Sequence, residues 1–556
     1  MLAEIICDKF MSNGKPREAI RFHEGLNVVF GSEAGDNSIG KSTFLMIIDF
    51  AFGGNDYVFK SLDVQENVHG HTIKFAFDIK GKKYFFSRET IDHTIVWVCN
   101  ENYEHLESLR LEEYRDRLLE LYGISLYATT FRDIVGRYFR VYGRDNLDEK
   151  EPLKADKQEP NLSAIASLMK LFDKFRAVAE LKKEHKKKTD EKNAHSKAQE
   201  HKFIPKINKK AYTANSKRMD SLAEEMNALQ NNADENLMGL DSKEAEIIAE
   251  LRQKLTNARR NKSRLISQLK SIENDMVFKN APRSSTLREF EKLQKFFTNA
   301  DIKQLSEIEQ FHSEMTSVLS AEFEAARKGI SALIEAANVD IVNFEQKIKD
   351  TGITPKISKA VLNSYADKKN EIVKLKNENT AYDTMNKLKV DAKELKTKLD
   401  KMQEEQFITV HATINNKMNE INDYIYDGEK NAPVLNITKE NSYTFYTPDD
   451  TGTGTSYKGL IVFDLSILSL TDLPVVIHDS VALKQIADEP LEKIMELYSK
   501  SNKQIFIALD KKSSYTQQTQ DVVSKNTILR LSPNGNELFG RSWNEKKEDA
   551  KSIPKV

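Results

Sequence analysis

The residues in this chain best suited to chemistry are Gly35-Asp36-Asn37-Ser38-Ile39-Gly40-Lys41-Ser42, which satisfy G-x-x-x-x-G-K-[ST]. In that pattern glycines let backbone N–H groups close around a β-phosphate, Lys41 neutralises the β/γ oxygens, and Ser42 offers a hydroxyl to Mg²⁺. The setting matters more than the pattern. Leu26-Asn27-Val28-Val29-Phe30 is an apolar strand leading in, and Thr43-Phe44-Leu45-Met46-Ile47-Ile48 is a helical continuation whose N-terminal dipole favours an anion. The segment therefore predicts binding of ATP and Mg²⁺ through Gly35, Asn37, Ser38, Ile39, Gly40, Lys41, Ser42 and Thr43.

Such a loop needs an apolar strand ending in an aspartate that holds the metal's water shell, usually followed by a carboxylate that polarises the attacking water. Leu473-Pro474-Val475-Val476-Ile477-His478-Asp479 fits, with Asp479 as the acid that completes the metal site beside Ser42. The next residue, Ser480, cannot act as the base. A competing strand, Gln504–Leu509 followed by Asp510, fits better as the neighbouring strand that ends at the γ-phosphate sensor position. Lys41 and Asp479 lie far apart in the sequence, so both chain ends must fold into one site.

The elements that would bring them together are legible as three territories. The opening stretch is mixed α/β, with β-rich runs at Ala3–Phe10, Leu26–Phe30, Thr72–Ile79, Lys83–Ser87 and Thr94–Cys99 and helix around Leu109–Tyr122. Strands recur at Val434–Thr438, Ser442–Tyr446, Leu473–His478, Gln504–Leu509 and Thr527–Leu531. Between them the chain is rich in Lys, Glu, Asn and Ala and poor in Gly and Pro. There Ile248, Leu251, Leu255, Ala258, Lys262, Leu265, Leu269 and Ile272 follow a heptad template with one polar interruption, and Ala381, Met385, Leu388, Ala392, Leu395, Leu399 and Met402 follow it with none. The competing reading is a pair of amphipathic helices in an ordinary bundle, but seams on both sides of a central break favour two arms that pair with each other.

The resulting layout is an α/β P-loop head assembled from both chain ends plus a long antiparallel α-helical coiled coil: 1–162 and 428–556 as the two halves of the head, 163–278 and 306–427 as the arms, and 279–305 as the apex. Asn280, Pro282 and two serines end a helix at the apex. Gly239 and Thr351–Pro355 interrupt the two arms at similar distances from it, which predicts an elbow, and Pro205 is a further break.

The chain has 30% charged and 39% hydrophobic residues, too polar for one compact globule of this length. Its net charge of −1 argues neither for nor against a nucleic-acid partner. Cys7 and Cys99 cannot make a disulfide framework and lack metal-ligand spacing, so both read as buried strand residues of a cytoplasmic protein; no run has the length or apolarity to span a membrane.

Further motifs give the chain a family likeness. Asn37–Thr43, Ile48-Asp49-Phe50, Gly53–Tyr57, Phe311-His312, Asp450–Gly454, Lys458–Leu465 and Ile477-His478-Asp479-Ser480, in that order, resemble the SMC/RecN-like ABC ATPases found as subunits of bacterial three-component antiphage defence systems, the Lamassu type among them. The resemblance implies heads that form a homodimer on ATP, a DNA-sensing role, and partners comprising an accessory subunit and an effector, often a nuclease. It places Gly452, Thr453, Gly454, Thr455 and Ser456 where an ABC signature loop meets the γ-phosphate held by the other subunit. The alternative for that loop is a plain polar turn after the Ser442–Tyr446 strand.

Departures from the general pattern are informative. The signature is not L-S-G-G, no Glu follows Asp479, no sensor His ends Ile505–Leu509, and Phe131-Arg132-Asp133 is the segment offered for the glutamine-loop position. The missing base predicts slow ATP hydrolysis with ATP acting as a clamp; the alternative is that Asp488 or Glu489 swings in as the catalytic carboxylate once the heads close.

Basic clusters at Lys182–Lys188, Lys206–Lys210 and Arg259–Arg264 are either solvated faces or phosphate contacts, and the lack of interleaved aromatics points to recognition of DNA shape or ends, not sequence. No constellation resembles a nuclease. The function expected is an ATP-gated, DNA-sensing subunit that controls an effector in antiphage or anti-plasmid defence. A RecN-like repair ATPase and a nucleotide-binding scaffold without DNA sensing are the alternatives.

Overall fold

The computed structural model describes residues 1–32, 36, 38–236, 242–279, 302–350 and 359–543. The chain opens with β1 (Leu2–Ile6), β2 (Ile20–Arg21) and β3 (Leu26–Phe30), enters α1 (Lys41–Ala51), and continues through β4 (Thr72–Ile79), β5 (Lys82–Glu89), β6 (Ile95–Cys99), β7 (His105–Arg110), α2 (Leu111–Tyr122) and β8 (Phe139–Arg140). Helices α3 (Asn161–Leu171), α4 (Phe175–Glu200), α5 (Lys209–Asn236), α6 (Ser242–Lys279), α7 (Ile302–Asp350) and α8 (Lys359–Tyr426) follow. Mixed structure then returns with β9 (Val434–Lys439), β10 (Ser442–Tyr446), α9 (Thr453–Leu470), β11 (Val475–His478), α10 (Asp488–Ser499), β12 (Gln504–Leu509) and β13 (Thr527–Arg530).

The central sheet runs β8-β11-β12-β3-β13 and all its pairings are parallel. Parallel strands are covered on both faces and read as unbroken apolar runs. Accordingly every residue of β3, β11 and β12 is buried. Leu26 to Phe30 lie opposite Ile505 to Leu509, so a strand from the start of the chain is held between two from its end. The α/β head is thus assembled from both chain ends, as the motif spacing required.

A second, antiparallel sheet runs β2-β1-β4-β5-β6-β7. Gln504 ties the two sheets together: its Oε1 accepts from Leu2 N (2.7 Å) and its Nε2 donates to Leu2 O (2.8 Å). Cys7 and Cys99 are both buried at this sheet. Strands β7 and β8 escaped the sequence reading, since β7 is an almost fully exposed polar edge strand and β8 has two residues.

Two compact units result, residues Met1–Lys188 with Ala392–Val556, and residues Thr189–Asp391. Helix α3, read from sequence as the start of the first arm, instead places Ile165, Leu168 and Leu171 in the same core as β3 and α1. It is apolar around much of its circumference, and the chain turns at Asp173 (φ 53°) before α4 begins.

In the second unit Asn215 bonds Glu378 (2.9 Å), Arg218 pairs with Glu371 (3.0 Å), and Arg259 pairs with Glu345 (2.5 Å). Numbers rise on one side as they fall on the other, which defines antiparallel pairing. The seam is the one the heptads mark: Ile248, Leu265, Ala381 and Met385 are buried, while Ile247, Arg264, Ile266, Thr380 and Thr384 beside them are exposed. Helix stops at Glu200 and restarts at Lys209, bracketing Pro205. Gly239, Thr351–Pro355 and most of the apex lie outside the described residues, and Phe311 and His312 fall on α7. Among the described residues no helix is long and apolar enough to cross a membrane.

Candidate nucleotide-binding site

Residues from both ends of the chain meet at the loop between β3 and α1. Of the loop, Gly35 and Asn37 lie outside the described residues. Gly40 caps α1 with φ 98°, a left-handed conformation that favours glycine, and a Cβ there would sit 2.5 Å from Cβ of Leu538. Leu538 N donates to Ile39 O (3.0 Å), fastening the loop to the C-terminal segment. Ser38 is also left-handed (φ 59°), and Ser42 and Thr43 fall in the first turn of α1.

Lys41 is almost fully buried. Its Nζ donates to Asp36 O (2.7 Å) and pairs with Asp510 Oδ1 (2.5 Å). Gly31 makes room for this lysine, since a Cβ at Gly31 would lie 3.1 Å from Lys41 Cδ and 3.2 Å from its Nζ. Asp510 follows β12, the strand that lies between β3 and β11. The carboxylate touching Lys41 is therefore Asp510 and not Asp479. Lys484 Nζ binds the other oxygen of Asp510. Burial alone would raise the Asp510 carboxyl, but Lys41 and Lys484 outweigh it and hold the group below the usual carboxylate range.

Asp479 is fully buried at the end of β11, one strand further along the sheet. Its N–H donates to Arg140 O (2.8 Å), its Oδ2 accepts from Tyr142 N (3.0 Å), and Ser480 Oγ donates to its Oδ1 (3.3 Å). Ser42 and Asp479 carry hard oxygen donors of the kind Mg²⁺ takes alongside phosphate and water, and the Lys41 ammonium together with the N-terminus of α1 is suited to a phosphate. The residues thus fit a Mg²⁺-nucleotide. Among the described residues no cluster of three or more His, Cys, Asp or Glu is placed to hold a metal unaided.

The two candidate base carboxylates part company. A cavity of about 450 Å³ beside Asp510 is lined by Ser480, Lys484, Asp488, Lys511 and Tyr515. Glu489 does not line it; it borders a separate cavity of about 410 Å³ with Glu492, Lys493 and Thr519, which Asp488 also reaches. Asp488 and Glu489 are adjacent in α10 and both line the second cavity, but of the two only Asp488 also lines the cavity beside Asp510.

Gly452 is the N-cap of α9. Asp450 organises the loop, accepting from Gly452 N (2.9 Å) and Thr455 Oγ1 (2.8 Å), and these bonds hold its carboxyl below the usual range. Gly454 packs on the segment after Asp479, where a Cβ would meet Gln485 O at 2.7 Å. Ser456 N bonds back to Gly452 O (3.0 Å), so the segment is the first turn of a helix and not a plain turn. Two residues on, Lys458 donates to Asn422 (2.7 Å), and burial pushes its ammonium down to about 8.

Two buried polar networks were missed in the sequence. Arg140 grips Asp464 with Nε and Nη2, both at 2.9 Å, while His478 bonds Tyr498 OH (2.6 Å) and Asp464 (3.3 Å). This network braces β11 just before Asp479. The available signal was Asp464 standing alone in the apolar run Leu460–Leu468. The second lies at the far end of α1, where fully buried Asp49 pairs with Arg132 (2.7 Å) and Arg144 (3.5 Å). Arg132 therefore serves Asp49, roughly 12 Å along α1 from Lys41, and Phe131 lies in the core. In the segment offered for the glutamine-loop position, Phe131 is thus spent on the core and Arg132 on Asp49.

Of the basic clusters, Lys182 pairs with Glu440 (2.9 Å) and Arg259 with Glu345 (2.5 Å), while Lys183, Lys186 and Lys187 are exposed.

The fold and site together define a class: a P-loop α/β head, split across the chain ends, that carries an antiparallel coiled coil. A family described as "Uncharacterised protein conserved in bacteria (DUF2326)" matches residues 418–543, from the end of α8 through α9, β11 and β12. No curated protein matches the chain. Among solved structures, it is similar to the Smc head domain with a coiled coil and joint from Pyrococcus yayanosii, at 13% identity and TM-score 0.44 over 97% of this chain and 96% of that one. It is also similar to the Smc head domain with an extended coiled coil bound to the C-terminal domain of ScpA from Pyrococcus furiosus, at 11% identity and TM-score 0.39 over 97% and 94%.

Proposed function

We propose that this chain is an SMC-like ATPase of slow turnover in which ATP acts as a clamp between two heads. The observation that carries the reading is that Lys41 lies beside Asp510, and Asp479 one strand further along, in a single parallel sheet built from both chain ends. Lys41 and the loop residues around it bind phosphate, Ser42 and Asp479 hold Mg²⁺, and Gly452, Gly454 and Ser456 contact the γ-phosphate bound to a second copy. When bound, Mg²⁺ neutralises charge on the β and γ oxygens.

Slow turnover follows from Ser480, whose hydroxyl is spent on Asp479 and which cannot take a proton from water. Asp488 is the better placed of the two candidate bases, because it shares the cavity beside Asp510. A free DNA surface is supported by Lys183, Lys186 and Lys187, and control of an accessory subunit and an effector nuclease in antiphage or anti-plasmid defence rests on the family likeness of the motifs. The scaffold alternative draws support from Lys182 and Arg259, which are neutralised by carboxylates of the chain itself.

The test is sedimentation and ATP turnover of the full chain and of Lys41→Ala, with and without DNA at several salt concentrations. ATP-dependent dimers lost in the variant, turnover below about one per second, and DNA binding that falls steeply with salt are expected. Salt-insensitive or absent DNA binding with intact dimerisation would favour the scaffold.

A further inference from the structure

Beyond the loop lysine, one more cation contacts Asp510. Asp510 is buried, with only 4% of its side chain exposed, yet it carries two lysines, Lys41 on Oδ1 and Lys484 on Oδ2. A carboxylate is small, so two ammonium groups on its two oxygens are near neighbours. Lys484 differs from Lys41 in being half exposed (49%), and it stands on the rim of the cavity of about 450 Å³ that opens beside Asp510. Ser480 and Asp488 line the same cavity, so there is room next to Asp510 for a polar group.

Resting on the nucleotide-site reading above, the geometry points to Lys484 as a second phosphate-binding cation that recognises the terminal phosphate of a nucleoside triphosphate, with Asp510 as the built-in anion that both lysines release to take it. The physical reasoning is competition. A lysine's charge is best satisfied by one close anion, and a triphosphate carries more charge than a carboxylate and offers oxygens to both ammonium groups at once. Lys41 meets the β and γ oxygens and so contributes to ADP as well as ATP. Lys484, which lines the cavity at the other oxygen of Asp510, is assigned the terminal phosphate alone, so its contribution belongs to the triphosphate. The long, half-solvated Lys484 side chain stays hydrated as it changes partners, whereas Lys41, almost fully buried, passes from one anion to another within the site.

The experiment is equilibrium binding of MgADP and of a non-hydrolysable Mg-ATP analogue to the full-length protein and to Lys484→Met, Asp510→Asn and Lys41→Met. For Lys484→Met the analogue should weaken by about tenfold or more while ADP changes by less than about threefold, the loss expected for one charge-assisted contact. Asp510→Asn, which removes the competing anion, should bind both nucleotides more tightly. Equal losses for the two nucleotides in Lys484→Met, or none, would overturn the assignment, as would weaker binding in Asp510→Asn. If Lys41→Met loses both nucleotides while Lys484→Met matches wild type, only the role of Lys484 falls; if the wild type binds neither, the nucleotide site falls with it.

Discussion

Helix α1 has an ion pair at each end, and the two are built for opposite purposes. At its start, Lys41 pairs with Asp510, which is shared with the half-exposed Lys484 beside a cavity. Toward its end, fully buried Asp49 is held by Arg132 and Arg144, and Gly54 is packed so closely that a Cβ would fall 1.8 Å from Asp49 Oδ2. Both ends use the same chemistry, a carboxylate against basic side chains. The first uses lysines, point charges on flexible stems that exchange partners readily. The second uses arginines whose planar forks also bond backbone carbonyls: Arg144 Nη1 reaches Gly136 O and Phe139 O, both at 2.9 Å. The cluster at the start of the helix keeps a path to solvent through the half-exposed Lys484, whereas the carboxylate toward its end is sealed.

The largest effect that tests this contrast is Asp49→Ala. It leaves Arg132 without its carboxylate and Arg144 with Asp56 alone (2.6 Å), and should destabilise the head by about 3 kcal/mol in urea unfolding, whereas Lys41→Met should shift stability by less than about 1 kcal/mol, since Asp510 keeps Lys484. A similar cost at both ends would erase the distinction.

A smaller effect concerns pH. Burial alone would raise the Asp49 carboxyl, but Arg132 and Arg144 outweigh it and hold the group below the usual range. A carboxyl depressed in the folded state contributes stability that is complete above its unfolded value, near 4, and is lost as pH falls through its folded value. The wild type should therefore lose stability on acidification below about pH 4 more steeply than Asp49→Asn, as followed by thermal melting; parallel curves would count against the clamp.

What the sequence made legible follows the same division. The loop, β3 and α1 are contiguous, so residue type and spacing suffice to find them. The heptad seams are legible for the same reason, each being written along one helix. Arg140 and Asp464 are 324 residues apart, and nothing local marks Arg140 as the partner that braces β11. Asp479 and Asp510 end similar apolar strands, and only the sheet order, with β12 between β3 and β11, decides which of them meets Lys41. That Asp488 but not Glu489 lines the cavity beside Asp510 likewise depends on how α10 is seated, which neighbouring letters do not encode.

The central claim is that Lys41 from one end of the chain and Asp479 from the other serve a single nucleotide. Calorimetric titration of an ATP analogue into the full-length protein, with and without Mg²⁺, tests it most directly. One nucleotide per chain is expected, with loss of binding in Lys41→Ala and an Asp479→Asn variant that binds with or without Mg²⁺ as the wild type does without it. An Asp479→Asn variant that keeps the full Mg²⁺ enhancement would contradict it.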